Sequence, residues 1–187
     1  MRSPRKPSVW IISGPSGVGK GTVCTRLRTL RPSIYIPVSL TTREPRPGEV
    51  DGVSYHFVSE QQFQEKAESG ELLEHAIVHG THSYGTPRGE VADAIASGRD
   101  VLLEIDLQGA RQVKRNLPEA KLVFIAPPSW EELVRRLTGR GTENASQVEH
   151  RLATARVELE AREEADFVIV NDRIEDTAQA LIVLMGL

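Results

Sequence analysis

The sequence predicts an α/β fold: a mostly parallel sheet flanked by helices, with one inserted lobe and a short lid. Three observations predict it. Short apolar runs recur at residues 9–12, 34–38, 101–105, 122–125 and 167–170, a length that suits strands buried on both faces. Helix-like segments separate the later runs, as strand–helix–strand units require. Residues 41–52 (TTREPRPGEVDG) and 54–78 break the alternation with turn formers, charge and short strands around a helix, and so form an insertion.

Taken in order, residues 1–8 are Pro-rich and basic, a flexible tail ahead of a single domain over 9–187. The first apolar run stops at Gly14, and a helix follows from about Gly19 with Val23, Leu27 and Leu30 on one face. Ser129 with Glu132, and Ser146 with Glu149, have the spacing of capping boxes, so helices are expected to start there. Val148, Leu152, Ala155 and Leu159 recur at helical spacing in the second. Residues 139–145 (GRGTENA) are a polar break between these helices, and the region of about 136–151 reads as a lid.

Bulk properties narrow the function classes. At 187 residues, 39% apolar and 26% charged, the chain is an ordinary globule with its own core. A net charge of −3 gives no general affinity for nucleic acid, so anion binding must come from local clusters. One cysteine forms no internal disulfide, which fits a reducing compartment. The basic head is followed by too short an apolar run for a signal peptide, and no segment approaches ~20 apolar residues, leaving the cytoplasm as the expected location.

GPSGVGKGT, from Gly14 to Thr22, has the pattern of a phosphate-binding loop. Gly14, Gly17 and Gly19 free the backbone of Gly14, Pro15, Ser16, Gly17, Val18 and Gly19 to turn its N–H groups inward. The helix that follows adds its positive end. Lys20 supplies a charge for the terminal phosphates. Gly21 stands where the pattern asks for a hydroxyl on Mg²⁺. Thr22 lies ~100° further round the helix and so reaches a neighbouring phosphate oxygen instead. Asp106, at the end of a strand, would then hold the metal through its waters. The alternative for Asp106 is a plain helix N-cap.

Arg43 and Arg46 lie three apart in a turn stiffened by Pro45 and Pro47. Their planar forks suit a second phosphate, with phenolic hydroxyls of Tyr55 and Tyr84 as further donors. The plainer alternative is a solvated basic loop.

At these residues the chain resembles the guanylate kinase family, from Val9 to the C-terminal helix. The pieces are GPSGVGKGT, S-x-TTR-x-PRPGE-x-DG-x-x-Y-x-F (Ser39 to Phe57), G-x-LLEHA, YGT, EIDLQGA, PPS, RLTGRGTE and VND. The resemblance implies a P-loop kinase fold in which residues 39–88 form a GMP-binding lobe. It implies guanine-reading residues at Ser39, Glu74 and Thr86. Guanine offers adjacent N1–H and N2–H₂ donors to a carboxylate, and a site built on such bonds rejects adenine by ~10⁴-fold or more. It also implies phosphate contacts from Arg43, Arg46, Tyr55 and Tyr84, with Glu49 bracing the arginines. Lid arginines fall on Arg136, Arg140 and Arg151, and an adenine contact on Asn171. From spacing alone, Glu74 is an ordinary surface glutamate and the lid arginines a solvated helix face.

Three departures stand out against the family pattern. Gly21 replaces the usual serine. Glu104 replaces a frequent aspartate beside the acceptor. The loop of residues 78–83 is slightly long. The implied reaction is ATP + GMP ⇌ ADP + GDP with Mg²⁺. It needs no general base, because a monophosphate's second pKa is ~6. Lys20, Arg43, Arg140 and Arg151 are the expected catalytic set. None of these residues reads the 2′ position, which leaves the use of dGMP open beside GMP. Two alternatives are a kinase for another phosphorylated acceptor and a non-catalytic binding module built on the same fold.

Overall fold

The computed structural model describes residues 6–78, 81–138 and 145–187, with backbone alone for 145–148 and 150. Residues 139–144, with Arg140, and residues 1–5 of the tail lie outside the described residues. The elements are β1 (Val9–Ser13), α1 (Lys20–Leu30), β2 (Leu40–Thr41), β3 (His56–Phe57), α2 (Glu60–Glu68), β4 (Leu72–Val78), β5 (His82–Pro87), α3 (Arg88–Ala96), β6 (Val101–Glu104), α4 (Leu107–Asn116), β7 (Lys121–Ala126), α5 (Trp130–Thr138), α6 (Ala145–Glu160), β8 (Phe167–Val170) and α7 (Ile174–Met185).

Two sheets form, each of four strands among the described residues. The core sheet runs β6-β1-β7-β8, all parallel. The lobe sheet runs β3-β2-β5-β4 and is mixed. Strand β1 shows why the core sheet is covered twice. Trp10 and Ile12 pack with Val23, Leu27 and Leu181 on one face, and Val9 and Ile11 pack with Leu103 and Val113 on the other. That is the period-two alternation of a strand, with apolar residues on both sides.

The expected run at 34–38 is not a strand. Tyr35 alone bridges to Val101, its N–H donating to Asp100 O at 2.8 Å and its carbonyl accepting from Leu102 N at 2.9 Å. Pro37 has no N–H to continue a ladder. Ile34 and Ile36 are buried all the same, so apolarity there served the core without a strand. At the other end of the sheet β8 forms as expected but is half-exposed, because it is an edge. Within the tail, Ser8 is tied to the sheet: its N–H donates to Asp100 Oδ1 at 2.8 Å and its carbonyl accepts from Val101 N at 3.0 Å.

The capping signals are half met. Ser129 Oγ accepts from Glu132 N at 3.2 Å ahead of α5, but the Glu132 carboxylate turns to Arg135 and Arg136. Helix α6 already begins at Ala145, one residue before Ser146. A full box sits instead at Ser59 and Gln62, where α2 starts.

A seam between α4 and β4 ties the lobe to the core. Gln112 on α4 donates to His75 O at 2.6 Å and accepts from His75 N at 3.2 Å, a side-chain amide extending the edge of β4. Asn116 Nδ2 adds a long contact to Leu73 O at 3.5 Å.

Candidate active site

A cleft of about 890 Å³ lies between the two sheets. The core contributes Ser16, Lys20, Glu104, Asp106, Arg151 and Glu158 to its lining, and the lobe contributes Ser39, Arg46, Tyr55, Glu74, Tyr84 and Thr86.

The donor end is built at the switch from β1 to α1. Gly14 has φ 145°, and a Cβ there would lie 2.3 Å from Ile125 O; the loop touches β7 backbone directly. Gly19 caps α1 with φ 101°, a conformation that disfavours other residues. Val18 is buried. The Lys20 ammonium folds onto the carbonyls of Gly14 and Pro15. Arg151 donates to Ser16 Oγ at 3.0 Å, and Glu158 accepts from Ser16 N at 3.1 Å. Burial pushes the Glu158 carboxyl above its usual range. Sequence reading missed Glu158. Its position seven residues after Arg151, two turns along one helix face, was the available signal.

Arg136 and Asn171 sit behind this loop. Asn171 is buried, donating to Val18 O at 2.7 Å and accepting from Thr177 Oγ1 at 2.8 Å. Each end of its amide has a protein partner, so the side chain also ties the loop to the start of α7. Arg136 donates to Val18 O at 3.3 Å and Asn171 O at 3.0 Å while paired with Glu132. It braces the loop rather than lining the cleft.

Asp106 is the N-cap of α4, its Oδ1 accepting from Gly109 N at 2.8 Å, and it also lines the cleft. Capping and facing the site are compatible, because the strand end and the helix start coincide here.

The acceptor end rests on cross-strand pairs of the lobe. Arg43 donates to both Glu49 oxygens, at 2.8 and 3.0 Å, and to Tyr84 Oη at 3.2 Å. Its guanidinium lies 5.5 Å from the Tyr55 ring centroid. Glu49 also accepts from Arg46 N at 2.7 Å, so one carboxylate sets both arginines. The hydrogen bond from Arg43 holds the Glu49 carboxyl below its usual range. Burial pushes the Tyr55 phenol up to about 12, so it remains a donor at neutral pH.

Glu74 and Thr86 face each other on β4 and β5, and Thr86 Oγ1 donates to Glu74 Oε1 at 2.6 Å. Glu74 is only 4% exposed, far from the ordinary surface glutamate its spacing suggests. Burial raises its carboxyl to about 7, against the lowering effect of the Thr86 bond. A Cβ at Gly109 would lie 2.3 Å from Glu74 Oε2. The glycine of EIDLQGA is thus what lets the carboxylate lie flat against α4.

A phosphate loop at one end, and an arginine–tyrosine clamp beside a buried carboxylate at the other, define a P-loop kinase acting on a nucleoside monophosphate. The comparisons narrow the class. The guanylate kinase family model matches residues 6–186. The guanylate kinase of Leifsonia xyli subsp. xyli is 53% identical over 181 residues, covering 97% of this chain and 71% of that protein. That of Streptomyces kasugaensis is 55% identical over 180 residues, covering 96% and 87%. The crystal structure of guanylate kinase from Anaplasma phagocytophilum superposes with a TM-score of 0.81 at 35% identity, covering 96% of this chain and 85% of that one. The chain belongs to the guanylate kinase family, enzymes that move the γ-phosphoryl group of ATP to GMP.

Proposed function

We propose that this cleft carries out ATP + GMP ⇌ ADP + GDP with the residues described above in specific roles. The observation that carries the reading is the buried Glu74–Thr86 pair, held in one cleft with the Lys20 loop. Guanine presents two adjacent donors to Glu74 and its O6 to the hydroxyls of Ser39 and Thr86. Arg43, Arg46, Tyr55 and Tyr84 bind the acceptor phosphate. The loop amides and Lys20 bind the donor phosphates, and Arg151 approaches from α6. Arg140, by its place in the family motif, completes the lid.

The attacking group is a phosphate oxygen of GMP, already largely ionised near neutral pH. This chain's task is therefore to align two phosphates and neutralise their charge. Mg²⁺ is the expected companion of ATP. Its preference for oxygen ligands, with phosphates and water beside one or two carboxylates, suits Asp106 in the cleft lining, while Glu104 stands with the acceptor groups. The ion would supply charge neutralisation between donor oxygens. None of these roles reads the 2′ position, so dGMP is a candidate acceptor beside GMP. The single buried cysteine accords with a cytoplasmic location. No helix among the described residues is long and apolar enough to cross a membrane.

An ADP-release assay with MgATP and GMP, AMP, UMP or dTMP tests the reading. Turnover with GMP alone is expected, and Lys20→Ala should lose roughly 10²–10³-fold, as when one charge-stabilising donor is removed. Turnover with another monophosphate would overturn the roles of Ser39, Glu74 and Thr86.

A further inference from the structure

The phosphate-loop pattern puts a hydroxyl directly after its lysine to hold Mg²⁺, and this chain has Gly21 there. The Glu104 carboxylate faces that space. A Cβ on Gly21 would lie 3.4 Å from Glu104 Oε1 and 3.9 Å from Oε2, its nearest described contacts beyond the adjoining backbone of α1. A hydroxyl, one bond further out, would reach into the space this carboxylate holds. The backbone brings the two together: Glu104 is the last residue of β6 and pairs with Ile12 of β1, just ahead of the loop. Below it lies the buried Cys24 thiol, pushed well up by burial and, next, by the neighbouring Glu104.

Charge decides what such a carboxylate can do. The N-terminus of α1 favours an anion, but it must also accept a triphosphate. Glu104, beside Gly21, and Asp106 both line the cleft, and two carboxylates beside a polyphosphate repel it unless a cation lies between. Magnesium is held by few protein groups, and carboxylates are the usual ones.

We propose that Glu104 is a metal-positioning residue on the donor side, its carboxylate standing in for the hydroxyl missing at Gly21 and holding, with Asp106, the Mg²⁺ that accompanies ATP. The two departures from the family pattern are then one exchange in two halves. The hydroxyl is deleted, and the facing acid is lengthened by one methylene to reach its place. This moves Glu104 from the acceptor side to the donor side, and it rests on the ATP-dependent reading above.

The test is Mn²⁺ affinity of the enzyme–ATP complex, read by electron paramagnetic resonance. Calorimetric ATP binding in excess EDTA runs alongside. Glu104→Gln should weaken Mn²⁺ by about 10–100-fold and leave metal-free ATP binding unchanged or tighter. Glu104→Asp should also weaken Mn²⁺, and adding Gly21→Ser to it should restore the affinity. Unchanged Mn²⁺ affinity in both single variants would overturn the proposal and return Glu104 to the acceptor side. Failure of the unaltered chain to bind ATP at all would overturn the phosphotransfer reading itself, a separate result.

Discussion

The Glu158 carboxylate accepts a hydrogen bond from the Ser16 backbone N–H at 3.1 Å, across 142 residues of sequence. In the proposed function that loop cradles the donor phosphates, so a side chain of α6 and ATP would compete for the same amide. Charge-assisted hydrogen bonds exceed neutral ones by about 1 kcal/mol, so Glu158→Gln should tighten ATP binding by about fivefold. Calorimetry checks this, and weaker binding in the variant would show instead that Glu158 holds the loop in shape.

Glu74 should make GMP binding sensitive to pH. Its carboxyl is raised to about 7 by burial, and guanine needs the ionised form. Below that value GMP affinity should fall by up to about tenfold per pH unit while ATP affinity holds. Guanosine, which lacks the phosphate, should show the same fall and separates the effect from ionisation of GMP itself.

The same group links to stability with a definite sign. Its folded pKa lies above the ordinary 4.5, so the folded state holds the proton more tightly. Stability is highest below the unfolded value and falls as pH rises towards about 7. Glu74→Gln should therefore gain up to about 3 kcal/mol over the parent at pH 8 relative to pH 4.5. Melting curves at the two pH values measure it; equal shifts at both would refute the linkage.

Gly109→Ala tests the wall behind the base. The new Cβ would lie 2.3 Å from Glu74 Oε2, and overpacking of this kind costs about 1–3 kcal/mol. The KM for GMP should rise by roughly tenfold or more, about 1.4 kcal/mol per decade, with the ATP dissociation constant unchanged. An equal loss for both nucleotides would mean general unfolding.

Asn171→Ala separates bracing from base contact. The side chain is buried with both ends bonded. Its loss should cost about 1–3 kcal/mol of stability and weaken ATP and other nucleoside triphosphates alike. A loss confined to ATP would support the adenine role.

Much of this was legible in the chain because the motifs are local. GPSGVGKGT is a loop whose glycines meet neighbouring backbone, and the PRPGE turn sets Arg43, Arg46 and Glu49 within a few residues of one another. Asp106 was legible both as a cap and as a group at a strand end, whereas the full capping box at Ser59 was not among the expected ones. What escaped depends on contacts far apart in sequence. Glu158 meets Ser16, Gly109 meets Glu74, and Asn171 meets Val18 only after folding. Residues 34–38 failed for another reason. Apolar patterning records burial, and Pro37 denied the ladder that would have made burial a strand.

The seam between α4 and β4 has a consequence for the whole lobe sheet. Gln112 fastens His75, the residue after Glu74, to the body of the enzyme, and the same sheet carries Tyr84, two residues from Thr86 on β5 and bonded to Arg43. The groups proposed for the base and those proposed for the phosphate are therefore cross-braced by one backbone ladder. A misfit at either end of a monophosphate would be felt at the other through that shared scaffold.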